Sequence, residues 1–324
     1  MRIEIKVKIG ISFRREFPPE TVMDYAREAE ALGFEEVWVV EDCFYASGIA
    51  AAAAILASTE KVRVGLGIMP VVARNPVFTA MEIATIGRMY PGRFIAGIGH
   101  GVKRWMEQIG AYPRSPLGAM REGVEIMRGL LKGETVDYQG EQFQLSNGTL
   151  EYPPSEVPPI YLGVRGPRSL ALAGELAEGT ILAEFSSPAY VKWAREQIAS
   201  GNKEGRKHAV TVFVYACACE TKEEGRERLR PLVAQAILSG RKDMYFAAMG
   251  VEKEMQAIRA PGDAETAAAR IPDTWIDQLG IFGGAADWEA GLDAFAQAGA
   301  DTVVLVPLPE LGMGQARAFA DILF

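Results

Sequence analysis

A series of eight apolar segments, each as long as a β-strand, constrains the fold of this chain more than any other feature of its sequence. The segments begin at Ile5, Glu36, Val62, Phe94, Pro159, Thr180, Val210 and Thr302, and helical patterns separate most of them. Strands joined by helices pair in parallel, because each crossover helix returns the chain to the same end of the sheet. Eight such units in 324 residues predict a closed (β/α)8 TIM barrel of the α/β class.

Two stretches are longer than a barrel loop and its helix require. Residues 133–158 predict a β-hairpin followed by a proline-rich connector, and residues 217–301 contain several helical patterns. No Ser/Gly linker, internal repeat or low-complexity tract separates the chain into two domains. We therefore interpret both stretches as insertions in a single barrel domain that spans residues 1–324.

Composition and charge exclude several classes of function. The net charge is −8 and no basic stripe occurs, which argues against nucleic acid as a partner. The longest apolar run, which begins at Gly48, is far too short to cross a membrane, and the N-terminus has no hydrophobic block of signal-peptide type. The cysteines Cys43, Cys217 and Cys219 have neither the spacing of a disulfide framework nor partners for a metal site. A reduced, cytoplasmic protein without a bound metal is expected.

In a barrel of this kind the functional residues follow the carboxyl ends of the strands, so each predicted strand end is a candidate. The second strand is followed by Glu41, Asp42 and Cys43. A site role is favoured for Asp42, which lies nearest the predicted mouth, whereas a solvated loop explains Glu41 equally well and Cys43 suits a packed side chain. In the third strand, Gly65 and Gly67 leave one side of the strand without side chains. This permits either the close approach of a ligand to the backbone or a bend of the barrel.

The fourth strand leads into a glycine-rich turn, Gly97-x-Gly99-His100-Gly101. The third glycine is misplaced for the G-x-G-x-x-G dinucleotide motif, and the turn belongs to the fourth unit instead of the first, so we exclude that motif. His100 is one of two histidines, and it is either a group that faces a ligand or a buried structural side chain. The other, His208, precedes the seventh strand at the opposite face of the barrel and suits a plain loop residue.

A possible anion site follows the fifth strand. The residues at this point are Gly163, Val164, Arg165, Gly166 and Pro167, and a helix begins at the proline. Free backbone amides at a helix start with an arginine beside them favour a bound phosphate, although glycine and proline also suit an ordinary turn. The sixth strand is followed by Glu184, which suits a proton donor, a substrate ligand or a solvated carboxylate.

Taken together, these strand ends resemble those of the bacterial luciferase-like superfamily of flavin- and deazaflavin-dependent oxidoreductases. The likeness covers essentially the whole chain and is carried by residues 65–111, 159–182 and 294–307. These segments are similar to the family's central block, its phosphate-binding segment, and its last helix and strand. Each segment is weak evidence alone, but all three occur in order at the appropriate strand ends.

The resemblance implies a role for individual positions. The peptide bond matching Gly67–Ile68 is cis in the family and forms a bulge that supports a tricyclic ring. The acidic residue matching Asp42 lies beside that ring, the loop matching Gly99–Val102 passes along the cofactor, and the loop matching Val164–Pro167 holds its phosphate. The full set of expected cofactor-binding residues is Asp42, Gly67, Ile68, Gly99, His100, Gly101, Val102, Gly163, Val164, Arg165, Gly166 and Pro167.

Two departures from the family bear on the reaction. Some deazaflavin dehydrogenases of the family carry a histidine where Cys43 stands and a glutamate where Val102 stands. Both differences argue against sugar-phosphate dehydrogenation and require another group for proton transfer. By residue type His100 is the first candidate, and Asp42, Cys43 and Glu184 are the other expected catalytic residues.

The resemblance predicts an oxidoreductase that transfers a hydride between coenzyme F420, a 5-deazaflavin, and a small organic substrate. Two alternatives stay open: an FMN-dependent monooxygenase that consumes dioxygen, and a non-catalytic flavin-binding barrel protein. Members of the family commonly pair through the helices that follow the second and third strands, and both helices are strongly apolar in this chain. A homodimer is therefore expected.

Overall fold

Eight parallel strands close into a barrel. The computed structural model describes residues 3–260, 262–312 and 314–324. Its strands are β1 (Lys8–Ser12), β2 (Glu36–Val39), β3 (Arg63–Pro70), β4 (Phe94–Gly99), β5 (Val136–Gln139), β6 (Gln144–Gly148), β7 (Ile160–Gly163), β8 (Gly179–Leu182), β9 (Ala209–Cys217), β10 (Gly280–Phe282) and β11 (Thr302–Pro307). All of these except β5, β6 and β10 form the barrel, in the order β11-β1-β2-β3-β4-β7-β8-β9. They coincide with the eight apolar segments, which confirms the (β/α)8 TIM barrel.

Several of the helices begin or end at serine, proline or glycine residues, which are typical of helix termini. They are α1 (Val22–Leu32), α2 (Gly48–Ser58), α3 (Pro76–Met89), α4 (Lys103–Gln108), α5 (Pro116–Leu131), α6 (Pro167–Leu176), α7 (Pro188–Gly201), α8 (Lys222–Ser239), α9 (Asp243–Ala247), α10 (Glu252–Arg259), α11 (Ala264–Arg270), α12 (Asp273–Ile276), α13 (Ala285–Ala298) and α14 (Gln315–Leu323). Ser115 and Ser187 cap α5 and α7 through their side chains, ahead of a proline in the first turn. α1 ends at Leu32, and the next residue, Gly33, has a φ of 101° that favours glycine. None of the described helices is long and apolar enough to cross a membrane.

The two long stretches contain the elements outside the barrel. β5 and β6 form an antiparallel pair within residues 133–158, while β10 and the helices α8–α13 fall within residues 217–301. β8 pairs with β9 over Ala209–Val212, but β10 pairs with β9 over Tyr215–Cys217. β9 therefore extends past the carboxyl end of β8, and β10 pairs with the last residues of β9. That these stretches are insertions in one domain stays a prediction.

Inside the barrel, Trp38 is the largest of the packed side chains. Its indole lies edge-on to Phe213, with 5.5 Å between ring centroids, and its Nε1–H donates to Glu36 Oε2 over 2.8 Å. A Cβ at Gly65 would lie 2.3 Å from this indole. The bare flank of β3 at Gly65 is therefore filled by Trp38, so packing and not ligand approach explains this glycine.

At the opposite face of the barrel, His208 is a buried structural side chain. It is 8% exposed, with its Nε2 2.8 Å from Thr180 Oγ1 and its Nδ1 3.1 Å from the carbonyl oxygen of Ala177. Burial lowers the pKa of His208 from 6.5 to about 4. The neutral imidazole joins the end of α6 to β8, a role that the expectation of a plain loop residue missed.

The lowered pKa of His208 predicts that the protein loses stability in mild acid. As the pH falls from 6.5 to about 4, the unfolded chain gains a proton at His208 that the folded protein excludes, so the free energy of unfolding decreases by about 2–3 kcal/mol. Urea unfolding at a series of pH values measures the change. In His208→Gln, which does not titrate in this range, the decrease should be smaller by that amount. An equal decrease in both proteins would contradict the assignment.

Candidate functional site

The carboxyl ends of the barrel strands share one face, the barrel mouth, and the predicted catalytic residues gather there. Asp42 follows β2, His100 follows β4, Arg165 follows β7 and Glu184 follows β8. The charge of Glu184 acts on the carboxyl of Asp42, and the charge of Arg165 acts on the imidazole of His100. The fold therefore brings together side chains that the sequence places at separate strand ends.

Ile68 occupies the side of the mouth formed by β3, β4 and β7. The Gly67–Ile68 peptide bond is cis, as predicted, and the register of β3 against β4 shifts across it. Gly99 and Gly163, here called the glycine pair, face each other across β4 and β7. A Cβ at Gly99 would lie 2.6 Å from the Ile68 side chain, and one at Gly163 would lie 2.3 Å from it. The missing side chains of the glycine pair leave the space in which Ile68 lies.

Asp42 is held by Arg15, a side chain from the loop after β1. Its Oδ2 accepts a hydrogen bond from Arg15 Nη1 over 2.6 Å. The Arg15 guanidinium lies over the rings of Tyr45 and Trp105, 5.0 and 5.8 Å from their centroids. Burial raises the pKa of Asp42 above its ordinary 3.8, although the hydrogen bond and the charge of Arg15 oppose the shift. Asp42 therefore takes up a proton more readily than a solvated aspartate.

The neighbouring carboxylate, Glu41, has a structural role. Its Oε2 accepts a hydrogen bond from the backbone N–H of Gly48 over 3.1 Å, and its Oε1 lies 2.7 Å from Arg74 Nη1. These contacts hold the loop between β2 and α2. Cys43 has a half-buried free thiol, and the Cys43–Phe44 peptide bond is a second cis bond, which the sequence did not predict.

His100 lies beside the start of α6. Its Nε2 is 3.2 Å from Ser169 Oγ, while its buried Nδ1 makes no hydrogen bond with the described residues. Burial lowers the pKa of His100 below 6.5; the backbone of Pro116 opposes this shift, and the charge of Arg165 adds to it by a smaller amount. The neutral imidazole is therefore the main form at neutral pH.

The first turn of α6 is open. Side chains cap the first turns of α2, α3, α5 and α7, namely Ser47, Asn75, Ser115 and Ser187. α6 has no side-chain cap among the described residues, and a Cβ at Gly166 would meet none of their atoms within 4 Å. Amides exposed in this way at a helix start bind anions, which is the chemistry predicted for this turn.

Arg165 connects this turn to the connection between α8 and α9. Its exposed guanidinium donates from Nη1 to the carbonyl oxygen of Arg241 over 2.8 Å. The carbonyl oxygen of Arg165 accepts a hydrogen bond from the Tyr190 hydroxyl over 2.6 Å. Both contacts hold the turn in place, while the expected contact between Arg165 and a phosphate stays a prediction.

The side of the mouth between β8 and β9 is lined by polar and aromatic residues. Glu184 is half-buried, and Phe185, directly after it, has a φ of 73° that is rare for a residue other than glycine. The Phe185 ring packs edge-on against Tyr215, with 5.4 Å between centroids. Lys242 lies over the Phe185 ring, 5.5 Å from its centroid. The mouth thus has an apolar side with the glycine pair and a charged side with Asp42, Glu184 and Lys242.

Comparison with known proteins agrees with this arrangement. Residues 5–302 match the model of the luciferase-like monooxygenase family. The chain belongs to that family. A 5,10-methylenetetrahydromethanopterin reductase from Archaeoglobus fulgidus is 30% identical to this luciferase-like protein over 310 residues, which cover 92% of each chain. An F420-dependent glucose-6-phosphate dehydrogenase from Microbacterium testaceum is 30% identical over 185 residues, which cover 53% of this chain and 55% of that enzyme.

A solved structure has the same fold over nearly all of the chain. The coenzyme F420-dependent tetrahydromethanopterin reductase from Methanopyrus kandleri has a TM-score of 0.84 and 24% identity, and the match covers 98% of both chains. Residues 65–111 and 159–182 lie within the family match, and residues 294–307 overlap its end at residue 302.

Two charged residues of this luciferase-like protein, Arg15 and Lys242, were not predicted from the sequence. Arg15 follows β1 in a charged run, and Lys242 follows Arg241 after a long helix. A charged residue in a loop has the same local pattern whether it faces solvent or a site, so neither position carried a signal. For Arg15, the rule that strand ends carry function would have applied equally to β1.

Proposed function

We propose that this protein is an oxidoreductase that transfers a hydride between coenzyme F420 and an organic substrate. The observation that carries the proposal is the position of Ile68, whose side chain lies against the glycine pair. The start of α6, which has no side-chain cap, follows β7, the strand that ends at Gly163 of this pair. Ile68 offers an apolar support for a planar ring, and the start of α6 offers backbone amides for a phosphate. The relatives support F420 as the cofactor, since two of them are named as F420-dependent enzymes.

The residues present fit such a cofactor. We assign support of the ring to Gly67 and Ile68, one wall of its site to the loop Gly99–Val102, and its phosphate to the turn Val164–Pro167. When bound, F420 supplies the carbon centre that accepts or donates the hydride, whereas the chain supplies position, electrostatics and a proton. His100 suits a hydrogen bond to a ligand at this wall, because its Nδ1 is buried and unbonded within the described structure.

Among the expected catalytic residues, we propose Asp42 for the proton transfer. A general acid works best when its pKa lies close to the working pH. Burial moves the pKa of Asp42 upwards in that direction, and Arg15 holds the carboxylate in one place. Burial moves the pKa of His100 downwards, which leaves that imidazole neutral and favours a hydrogen-bonding role.

The first test is cofactor binding. The purified protein is expected to bind oxidised F420 more tightly than FMN in a titration followed by visible absorbance. Gly163→Ala should weaken F420 binding by about 5- to 100-fold, because the added methyl group displaces Ile68 into the space of the ring and overpacking usually costs about 1–3 kcal/mol. Gly314→Ala is the control, since a Cβ there would meet no described atom within 4 Å.

The same titration separates the alternatives. Binding of FMN without binding of F420 would replace the proposal with a flavin monooxygenase. Tight binding of F420 without turnover of any donor or acceptor would favour a non-catalytic barrel. Failure to bind either cofactor would overturn the proposal entirely.

The role of Asp42 predicts a loss of turnover without a loss of cofactor. Asp42→Asn should lower turnover by about 10²–10⁴-fold and change F420 affinity little. 5,10-Methylenetetrahydromethanopterin, from the name of the archaeal relative, is the first trial substrate. If protonated Asp42 is the donor, activity of the wild-type protein falls as the pH rises through the pKa of this residue, and the variant lacks that step.

Asp24→Asn is a suitable control for this variant, because the Asp24 side chain is 86% exposed on α1. It should retain full activity and the wild-type pH profile. Full activity of Asp42→Asn across the same pH series would instead assign the proton transfer to His100, Cys43 or Glu184.

We further propose a homodimer that forms through α2 and α3. The large apolar side chains of Phe78, Met81 and Met89 on α3 are 62%, 46% and 60% exposed. Large apolar side chains exposed together on one helix are typical of an interaction surface. Light scattering at micromolar concentration is expected to give twice the chain mass of 35.2 kDa.

A charged residue on this surface of α3 should weaken the dimer. Phe78→Glu is expected to shift the dimer towards monomer by about tenfold or more, since each 1.4 kcal/mol lost is a factor of ten. Met23→Glu, at a methionine that is 40% exposed on α1, is the matched control and should remain a dimer. A monomeric mass for the wild-type protein would contradict the proposal.

A further inference from the structure

Two cysteines at the end of β9 have no part in the proposed function. Cys217 is the last residue of β9, and Cys219 lies two residues later in the connection to α8. Two residues of extended chain span about 6.6 Å. This length is within the separation of about 4.4–6.8 Å between Cα atoms that a disulfide requires. The spacing of the two cysteines therefore permits a bond between their sulfur atoms.

The two thiols differ in their access to solvent. Cys217 is 1% exposed and belongs to the core, and its backbone pairs with Phe282 of β10. Cys219 is half-buried, and both thiols are free. A reagent in solution can therefore reach Cys219, whereas the surrounding core screens Cys217 from it.

Local contacts hold the Cys219 side chain beside Cys217. The Cys219 Sγ lies 3.5 Å from the carbonyl oxygen of Cys217 and 3.4 Å from that of Thr221. A hydrogen bond also joins the side chains of the two cysteines. Between them, the backbone N–H of Ala218 donates to Gln315 Oε1 of α14 over 3.1 Å, which fixes the intervening backbone. The two sulfur atoms are thus held next to each other.

The surroundings favour the thiolate at Cys219 over the thiolate at Cys217. The hydrogen bond from Cys217 lowers the pKa of Cys219 below its ordinary value of 9, although burial opposes the shift. The backbone N–H of Gly283, in the turn before α13, donates to the Cys219 sulfur and lowers its pKa further. The hydrogen bond with Cys219 and burial both raise the pKa of Cys217. Cys219 is therefore the nucleophile of the pair.

An accessible thiolate beside a second thiol is the arrangement that reacts reversibly with peroxides. We propose that Cys217 and Cys219 are a redox-active dithiol, which a peroxide converts into an intramolecular disulfide. In a reducing compartment such a disulfide is transient, so the reduced form is the resting state. This inference concerns a site separate from the proposed cofactor and holds whichever substrate the protein uses.

The reaction has two steps. The Cys219 sulfur attacks one oxygen of hydrogen peroxide, the O–O bond breaks, and the other oxygen leaves as water after it takes up a proton. The product is a sulfenic acid at Cys219. The Cys217 sulfur then attacks the Cys219 sulfur, the S–S bond forms, and the S–O bond breaks. The released hydroxide takes the proton of the Cys217 thiol and becomes a second water. The two thiols are oxidised to a disulfide while the peroxide is reduced to water.

Mass spectrometry of one tryptic peptide tests the proposal. The purified, reduced protein is treated with hydrogen peroxide, its remaining thiols are blocked with iodoacetamide, and it is digested. Trypsin cleaves after Lys207 and Lys222, so peptide 208–222 contains both cysteines, whereas Cys43 lies in another peptide. Peptide 208–222 is expected to become lighter by two hydrogen atoms and to lose both blocking groups. Treatment with dithiothreitol before blocking should restore both thiols.

Single substitutions assign a role to each sulfur atom. In Cys217→Ala, Cys219 should gain oxygen and proceed to a sulfinic acid that dithiothreitol does not reduce, because the second thiol is absent. In Cys219→Ser, the screened thiol of Cys217 should stay reduced. Cys43→Ser is the matched control, since it removes the third thiol of the chain and should still form the disulfide. The unfolding midpoint of each variant shows whether it is folded.

The wild-type protein decides the outcome even if a variant does not fold. Sulfinic acid at Cys219 in place of a disulfide would overturn the proposal. Two free thiols in peptide 208–222, at a peroxide concentration that oxidises Cys43, would overturn it as well. A disulfide that joins Cys219 to Cys43 or to a second molecule would also contradict it, because the geometry pairs Cys219 with Cys217.

Discussion

Closure of eight parallel strands into one barrel is the constraint on which the rest of this structure depends. Because the strands run in one direction, all their carboxyl ends lie at one face, and residues far apart in the sequence become neighbours there. The charge of Glu184 acts on the carboxyl of Asp42 for this reason. Trp38 and its neighbours fill the interior below them, so the mouth is the part of the barrel that is left for a ligand.

The mouth is chemically divided. On one side, the glycine pair leaves room for Ile68, and α6 begins without a side-chain cap. On the other side, where β9 extends past the end of β8, Glu184 and Lys242 place opposite charges near aromatic rings. A planar cofactor with a phosphate suits the first side, and a polar substrate suits the second. This division is consistent with hydride transfer between two molecules that are bound side by side.

Much of this arrangement could be predicted from sequence, because its signals are local. Glycine, proline and serine mark turns and helix starts wherever the chain folds, so the sequence alone indicates the turns after β4 and β7. The sequence favours Asp42 over Glu41 only through its position nearest the predicted mouth, because the two residues are adjacent and chemically alike. The structure separates them, since Glu41 contacts Gly48 and Arg74 whereas Asp42 pairs with Arg15.

By itself, the sequence determined the barrel, the ends of its main helices, the luciferase-like pattern of strand ends and the glycines that allow close packing. These features depend on periodicity, capping and backbone freedom, which act over a few residues. Only the tertiary structure decided that Trp38 fills the space at Gly65, that Arg15 holds Asp42 and that Lys242 lies at the mouth. The reason is physical: burial and electrostatic partners arise from the packing of distant segments, and a loop residue carries no local trace of the groups that it will contact.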